Sequence, residues 1–378
     1  MVMKTTDEWR VASSLLNVLN DYNHEAYIVG GAVRNWLLQK PAEDLDIVTS
    51  APLAEIADIL PEATVIETSV PLLTMKKESV RVDISALKGE SLEENLAARD
   101  FTVNAIAVNA KGAVIDPFHG QKDVHARVLR LLHDEAIAVD PLRILRAARL
   151  MANDQFLVDE ATVNACKTYR YRLTRVPGER VGDELNRLLY TEHASKGFQW
   201  LAEQDIIAVL SPGTPDTSFT FSALDMVDTL TEKWVVFFFQ LGEEHIRTSL
   251  RKWRRSERLI KNVERLFFYT RKRLKSGWSR QRLYEAGQAL AVAAEKTAHA
   301  LSGNVPGGRI DVCRQIAALP ISSRQDLAVH PLEISTYIDR EPDAWLGEVL
   351  QELEKAVVDG EVSNERAAIL AWVEEVIS

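Results

Sequence analysis

The chain has 378 residues, 46% of them apolar and 26% charged, and a formal net charge of −10. That length suits two to four domains, and the composition is that of a chain that folds. The acidic balance excludes a protein coated in basic residues. No apolar run approaches the roughly twenty residues of a membrane span, and the polar first ten residues predict no secretory signal.

Residues 1–120 mix strand and helix signals. Helical apolar spacing runs over 8–19, then a short strand is predicted over 26–29, a short helix over 32–38, a strand over 45–48 and a helix over 53–60. Residues 80–85 alternate, with Val80, Val82 and Ile84 on one side and Arg81, Asp83 and Ser85 on the other. Residues 105–108 and 113–115 read as a last pair of strands, so this part is a small α+β domain. After Asp116 the strand signal ends. Helical patterns cover 124–132, 141–151, 160–169, 180–190 and 194–203. PGTPDTS (212–218) reads as a linker, helices resume from 223, and GNVPGG (303–308) is another break. Two helices, 345–358 and 364–376, lie near the end, and no fixed-period repeat occurs. Cys166 and Cys313 lie far apart, which predicts a reducing, cytoplasmic setting without a zinc or disulfide framework.

Charge is uneven along the chain. Positions 247–282 hold fourteen Lys and Arg against two acids, Glu257 and Glu264. Such a run is either a nucleic-acid footprint or a solvated helical face.

The chemistry starts with GGAVRN…DLD. Asp44 and Asp46 stand two apart on a predicted strand, so both carboxylates face one side. They repel unless a cation lies between them, and Mg²⁺ is the usual one where nucleotide phosphates bind. Gly30 and Gly31 follow a strand and open a helix, where bare N–H groups can meet an anion, and Arg34 lies one turn on. Separately, these are an exposed acidic pair and a tight turn. Together they are the layout of nucleotidyl transfer. Asp83 is a candidate third carboxylate, or a strand residue paired with Arg81. In AVDPLRILRAARLM, Arg143, Arg146 and Arg149 line one helix face with Asp140 at its start. Asp beside Arg can bond the Watson–Crick edge of a base, and Asp140 before Pro141 can equally cap the helix.

These motifs, in order, resemble the class II tRNA nucleotidyltransferase and bacterial poly(A) polymerase family. They are GGAVRN…DLD, ARDFTVNA (98–105), IDPFHGQKDV (115–124), VDPLRILRAAR (139–149) and ERVGDELNRLL (179–189). The stretch from DLAVHPLEI to AAILAW (326–372) resembles the tail of CCA-adding enzymes of Gram-positive bacilli. The resemblance implies a polymerase-β-type head over 1–120, then all-helical neck (121–195), body (196–302) and tail (303–378). It implies Mg²⁺ on Asp44 and Asp46, with Gly30, Gly31 and Arg34 on the nucleotide and Arg99 on its ribose. Asp140 and Arg143 would pair with the base of CTP or ATP, and Arg146 and Arg149 would add contacts. The attacking group would be the 3′-hydroxyl of tRNA. The basic run, with Arg251, Lys252, Arg254, Arg255, Arg271, Lys272, Arg273 and Lys275 and interleaved Trp253, Tyr269 and Trp278, would grip the tRNA backbone.

Four departures stand out. Asn35 replaces the family's Asp, Ala98 the first Arg of R-R-D, and Val139 a Glu. The bridge from the strand ending near Ser85 to Arg99 is only ALKGESLEENLAA, where full CCA-adding enzymes carry a longer flexible segment. Members lacking that segment stop after two cytidines, which implies a CC-adding enzyme whose product a separate A-adding enzyme would complete. The other readings are a full CCA-adding enzyme, a poly(A) polymerase and a degenerate RNA-binding protein. His133-Asp134 suggests a metal-dependent phosphohydrolase, but the other histidines make no set with it, so His133 reads as a surface residue. WVVFFFQL (234–241) reads as helical core, and Trp278 as packing at a helix start.

Overall fold

The structure is a computed structural model, and it describes residues 7–42, 44–67, 71–78, 80–133, 135–211, 221–303 and 308–377. Two compact units divide the chain. One holds residues 1–176 with 200–209, the other 177–199 with 210–378. The division at 176/177 falls inside the segment 121–195 expected as one neck. The linker expected at 212–218 lies outside the described residues, as does most of the break at 303–308.

The first unit is built on α1 (Asp7–Asp21), β1 (Ala26–Val29), α2 (Gly31–Leu37), β2 (Asp44–Thr49), α3 (Leu53–Ile59), β3 (Thr64–Ile66), β4 (Leu72–Lys77) and β5 (Val80–Ala86). Next come α4 (Leu92–Ala97), β6 (Ala107–Asn109), β7 (Val114–Ile115), α5 (Gly120–Ala126), β8 (Val128–Leu129), α6 (Ala136–Val139), α7 (Arg143–Asp154), β9 (Leu157–Val158) and α8 (Glu160–Tyr169). Seven strands form one mixed sheet in the order β3-β4-β5-β2-β1-β6-β7, with only β2–β5 parallel. The alternation read from the sequence does the work here. Leu45 and Ile47 of β2 and Val82 and Ile84 of β5 are buried, while Asp44 and Asp46 emerge on the other side. Trp9, Val11, Ala12, Leu15, Leu16 and Leu19 form the buried stripe of α1, which packs on β1, β2 and β5.

Strand structure does not end at Asp116, as the sequence pattern implied. β8 and β9 form a small parallel pair, and the helix expected over 124–132 stops at Ala126. Arg127 takes a left-handed conformation (φ 55°), which breaks the helix and turns Val128 and Leu129 toward Leu157 and Val158. β3 and β4 also had no sequence expectation; β3 is short and largely exposed.

The second unit is helical. It comprises α9 (Gly178–Leu189), most of α10 (Ala194–Glu203), the end of α11 (Ile206–Leu210), α12 (Leu230–Leu241), α13 (Ile246–Lys252), α14 (Glu257–Ser276), α15 (Arg280–Ser302), α16 (Arg309–Ala317), α17 (Pro331–Ile338), α18 (Ala344–Asp359) and α19 (Arg366–Ile377). The WVVFFFQL run is core, as its continuous apolarity implied. Trp234, Phe237 and Phe238 are fully buried on α12, and Trp234 stacks on Trp253 at 5.4 Å. α17 is a third helix in the segment where the sequence pattern showed two. α17, α18 and α19 share one core containing Ile334, Leu353, Val357 and Ile369. Among the described residues, no helix is long and apolar enough to cross a membrane.

Candidate active site

The site grows from one turn. Gly30 follows β1 with φ 75° and ψ −134°, a conformation open only to glycine. A Cβ there would stand 2.6 Å from Arg99 Nη1 and 3.3 Å from Asp46 Oδ2. The glycine is therefore needed twice, for its backbone and for the close approach of Arg99 and Asp46 above it. Asp46 is paired in register with Val29 on one side and Asp83 on the other. Asp44 and Asp46 both open to solvent, as the two-residue spacing implied. Asp46 is nonetheless ringed by protein, and this desolvation pushes its carboxyl up; Arg99 opposes the shift, and Asp83 and Asp44 add to it.

Asp83 is engaged. Oδ1 accepts from Thr74 Oγ1 (2.6 Å) and Arg81 Nε (3.2 Å), and Oδ2 from Arg81 Nη2 (3.2 Å). Among the described residues no three His, Cys, Asp or Glu side chains group as a metal site. Asp44 and Asp46 still fit a divalent cation, because two crowded carboxylates open to solvent leave further positions for phosphate oxygens and water.

Arg34 is buried, at 7% exposure. Nη1 donates to Asn104 Oδ1 (2.5 Å), Nη2 to Asn35 Oδ1 (3.1 Å), and Nε lies 3.3 Å from Asp154 Oδ2. Burial pulls its pKa down, and Asp154 is the first charge to oppose that. Lys40 Nζ reaches the other oxygen of Asp154 at 2.8 Å. Arg34 thus sits just beneath Gly31, held on three sides. Sequence reasoning missed Asp154. Nothing marks it, since it is the last residue of α7, far along the chain from the glycine turn.

Arg99 lies beside Asp46; burial lowers its pKa, Asp46 opposes this, and its buried Nε finds no hydrogen-bond acceptor among the described residues. Asp100, 4% exposed, accepts from Phe101 N and Asn104 Nδ2 (both 2.8 Å) and faces Arg146 at 3.1 Å. Burial raises its carboxyl, but Arg146, those two bonds and Arg143 together hold it below the usual range.

α7 carries the arginine row. Leu142 is its N-cap, and the Asp140 carboxylate accepts from Leu142 N at 3.3 Å, so Asp140 braces the turn before the helix rather than capping it directly. Arg143 Nη2 donates to the Ala98 carbonyl (3.0 Å), and desolvation lowers its pKa. Arg149 is partly exposed on the same helix, and its charge depresses the pKa of Arg34. Val139, the last residue of α6 and next to Asp140, is an apolar side chain 81% exposed. His133 is exposed and bonds only the Ala97 carbonyl (3.2 Å) among the contacts it shows; Asp134 lies outside the described residues.

The expected tRNA-gripping residues lie on α13, α14 and the turn between them. Lys252 donates to the Leu210 carbonyl (3.1 Å), Arg251 pairs with Glu257 (2.7 Å) and Arg271 with Glu243. Arg255 bonds Trp253 O and Asp183 (both 2.8 Å), and Lys272 lies over the Phe268 ring. Arg273 forms a two-point pair with Glu295, which also accepts from Trp278 Nε1 (2.8 Å). Arg254 and Lys275 are exposed. Of the interleaved aromatics, Trp253 and Tyr269 are not available as a stacking surface, at 1% and 8% exposed, because both complete the helical core, while Trp278 is partly buried.

A glycine turn, two carboxylates on the adjoining strand and an arginine helix define the class, a nucleotidyl-transfer head. Three family models match the chain. They are described as "Poly A polymerase head domain" (26–130), "RNA and SrmB- binding site of polymerase A" (155–217) and "tRNA nucleotidyltransferase domain 2" (226–373). The CCA-adding enzyme of Bacillus cereus (strain AH820) is 31% identical over 98% of this chain and 99% of that protein. That of Bacillus mycoides (strain KBAB4) is 30% identical over 97% and 98%. The Bacillus stearothermophilus CCA-adding enzyme in complex with CTP superposes with a TM-score of 0.84 at 26% identity, over 99% and 98% of the two chains. A Thermotoga maritima CCA-adding enzyme complexed with tRNA shares the fold, with a TM-score of 0.72 at 22% identity over 100% and 97%. The chain therefore belongs to the class II tRNA nucleotidyltransferase and poly(A) polymerase family and is similar to the CCA-adding enzymes of Bacillus.

Proposed function

We propose that this protein adds cytidines to the 3′ end of tRNA, using CTP and releasing pyrophosphate, and that it stops after two. Support for addition to tRNA comes from the end-to-end likeness to CCA-adding enzymes and from the Asp44–Asp46 pair beside the Gly30 turn. In this reading residues 1–120 are the catalytic head, 121–195 read the base, and 196–302 and 303–378 hold the tRNA.

Divalent ions, taken here as Mg²⁺ on Asp44 and Asp46, would supply Lewis acidity at the phosphates. The chain's own residues do the rest. The Gly30–Gly31 turn lets the nucleotide approach the backbone closely, with Arg34 set beneath it. Arg99, whose guanidinium lies over Gly30 and beside Asp46, suits a ribose oxygen. Asp140 and Arg143 offer an acceptor and donors to the base edge.

The limit to two cytidines is carried by one observation, the bridge from β5 to Arg99. It is held at several points. Leu87 N donates to the Thr49 carbonyl (2.8 Å), Gly89 turns at φ 92°, Glu90 N bonds Glu94, and Ser91 caps α4. Leu87 and Leu92 pack against Val29, Val48 and Leu96. A bridge so short and so anchored has no free length to reorganise the base site, and a switch of nucleotide needs a mobile lever.

The test is a timed incorporation assay on tRNAs ending at each intermediate stage, with CTP alone, ATP alone and both. Two cytidines and no adenosine are expected. Conversion of tRNA lacking all three nucleotides to one ending in CCA would establish the full CCA-adding activity instead.

A further inference from the structure

The end of α8 and the turn after it, inside the 155–217 match to an RNA-binding family model, carry a surface whose individual residues have no role in the function above. KTYRYRLTR, 167–175, holds Lys167, Arg170, Arg172 and Arg175 and no acid, in a chain of net charge −10. Its second part is the 3₁₀ helix Arg170–Arg175, anchored by buried Leu173. Cations at a helix C-terminus often do no more than satisfy its carbonyls. Arg170 does this, donating to Lys167 O, and Arg172 Nη1 donates to the Ala138 carbonyl of α6 at 2.9 Å.

Capping does not account for the rings. Tyr171 is 64% exposed. The Arg170 guanidinium lies 4.7 Å from its ring centre, and that of Arg172 lies 5.1 Å from the ring centre of Tyr169. An exposed ring steadied by a neighbouring guanidinium loses little freedom when something stacks on it. The bond from Arg172 ties this surface to α6, two residues before Asp140.

We propose that Tyr171 and its flanking cations form a stacking site for the unpaired 3′-terminal nucleotides of the RNA that receives the addition. The proposal rests on the tRNA reading above and deepens it. Unpaired bases offer open faces to an aromatic ring, and duplex RNA does not. Lys167 and Arg175, both exposed, suit the adjoining phosphates. The place is also right, because the growing end must lie near the base-reading turn at Asp140.

The experiment uses the full chain and two labelled RNA hairpins with one stem, the first with a short unpaired 3′ extension and the second blunt. Fluorescence anisotropy gives both affinities. Tyr171→Ala should weaken binding of the extended hairpin about ten-fold, as loss of one base–aromatic stack implies, and bring it toward the blunt one. Tyr171→Phe keeps the ring and should bind as the wild type does. Arg175→Gln should reduce the slope of log K against log salt by about 0.7. In the incorporation assay the KM for RNA should rise in Tyr171→Ala while that for CTP stays. Should Tyr171→Ala lower the melting temperature, the salt slope of Arg175→Gln still decides the case. Wild-type affinity of Tyr171→Ala for the extended hairpin overturns the proposal. Equal weakening of both hairpins also overturns it, and capture of a protein partner by this patch would then explain its exposure. Binding needs no turnover, so a wild type that adds no cytidine refutes the functional reading and leaves this test standing.

Discussion

The protein carries cations in two settings. Around the glycine turn Arg34, Arg99, Arg143 and Arg146 are wholly or partly buried, each set against a chosen acid or carbonyl, and two buried guanidinium nitrogens, Arg34 Nε and Arg99 Nε, have no hydrogen-bond acceptor among the described residues. In the basic run 247–282 the cations are numerous, yet many are neutralised locally. Arg247 pairs with Glu264, Arg251 with Glu257, Arg255 with Asp183, Arg271 with Glu243 and Arg273 with Glu295. Three of those acids lie outside the run. A charge count along the sequence therefore overstates the positive surface, because folding brings in acids from other helices. Burial and an open valence mark a site better than number does.

The largest effect expected lies in the first region. Asp44→Ala with Asp46→Ala should abolish cytidine incorporation and largely preserve gel-shift affinity for tRNA. Asp46→Asn alone should inactivate the protein without lowering its melting temperature, since its carboxyl is held at a cost by crowding and by Asp83 and Asp44. A melting temperature well below that of the wild type would show that Asp46 also supports the fold.

Next in size is a test of the second region. Glu295 is 2% exposed and serves both Arg273 and Trp278. Glu295→Ala would strand a largely buried guanidinium, which costs roughly 3–5 kcal/mol. Chemical denaturation should show that loss. Arg251→Gln breaks an exposed pair and should cost less than about 1 kcal/mol. Equal effects would erase the distinction between fold-supporting and solvent-facing cations in this run.

The third test concerns the carboxylate that Arg34 uses. Asn35 is neutral, and Asp154, 0% exposed, takes the charge against Arg34 and Lys40. Asp154→Asn should lower kcat for cytidine addition by about ten-fold or more, as displacement of a positioned group does, and should reduce stability. Adding Asn35→Asp moves the carboxylate to the other side of the same guanidinium, where Asn35 now accepts from Nη2 at 3.1 Å, and should recover part of the rate. No recovery would mean that Asp154 acts through packing alone. Asp100 sets a pH signature in the same network. Its folded pKa is depressed, so its contribution is present above the unfolded value near about 3.9 and is lost as pH falls through the folded value. Asp100→Asn should flatten the acid limb of the stability profile.

Much of this was legible in the sequence, for physical reasons that can be named. Period-two alternation placed Asp44 and Asp46 on one face, and β1 and α8 were read with their observed bounds. Continuous apolarity identified 234–241 as core. What was not legible depended on contacts between distant residues. Asp154 meets Arg34 across more than a hundred positions, and Trp253 looked like a surface ring until α12 closed over it. β8 was hidden because the break at Arg127 is a backbone conformation taken by a residue with no special preference for it. The YRYR stretch was passed over since four cations are too few to register against fourteen.

The smallest effect sharpens the comparison most. Each cation that meets a phosphate should contribute roughly 0.7–0.9 to the salt slope of binding, whereas a cation held by an internal acid contributes little. Arg254 and Lys275 are exposed, while Arg255 and Arg273 have side chains only 11% exposed and are committed to Asp183 and Glu295. Arg254→Gln and Lys275→Gln should therefore each flatten the slope measured with intact tRNA. Arg255→Gln and Arg273→Gln should leave it unchanged at temperatures where the variants stay folded, whatever they cost in stability. If all four flatten it equally, the internal pairs open on binding, and the basic run acts as the sequence count first suggested.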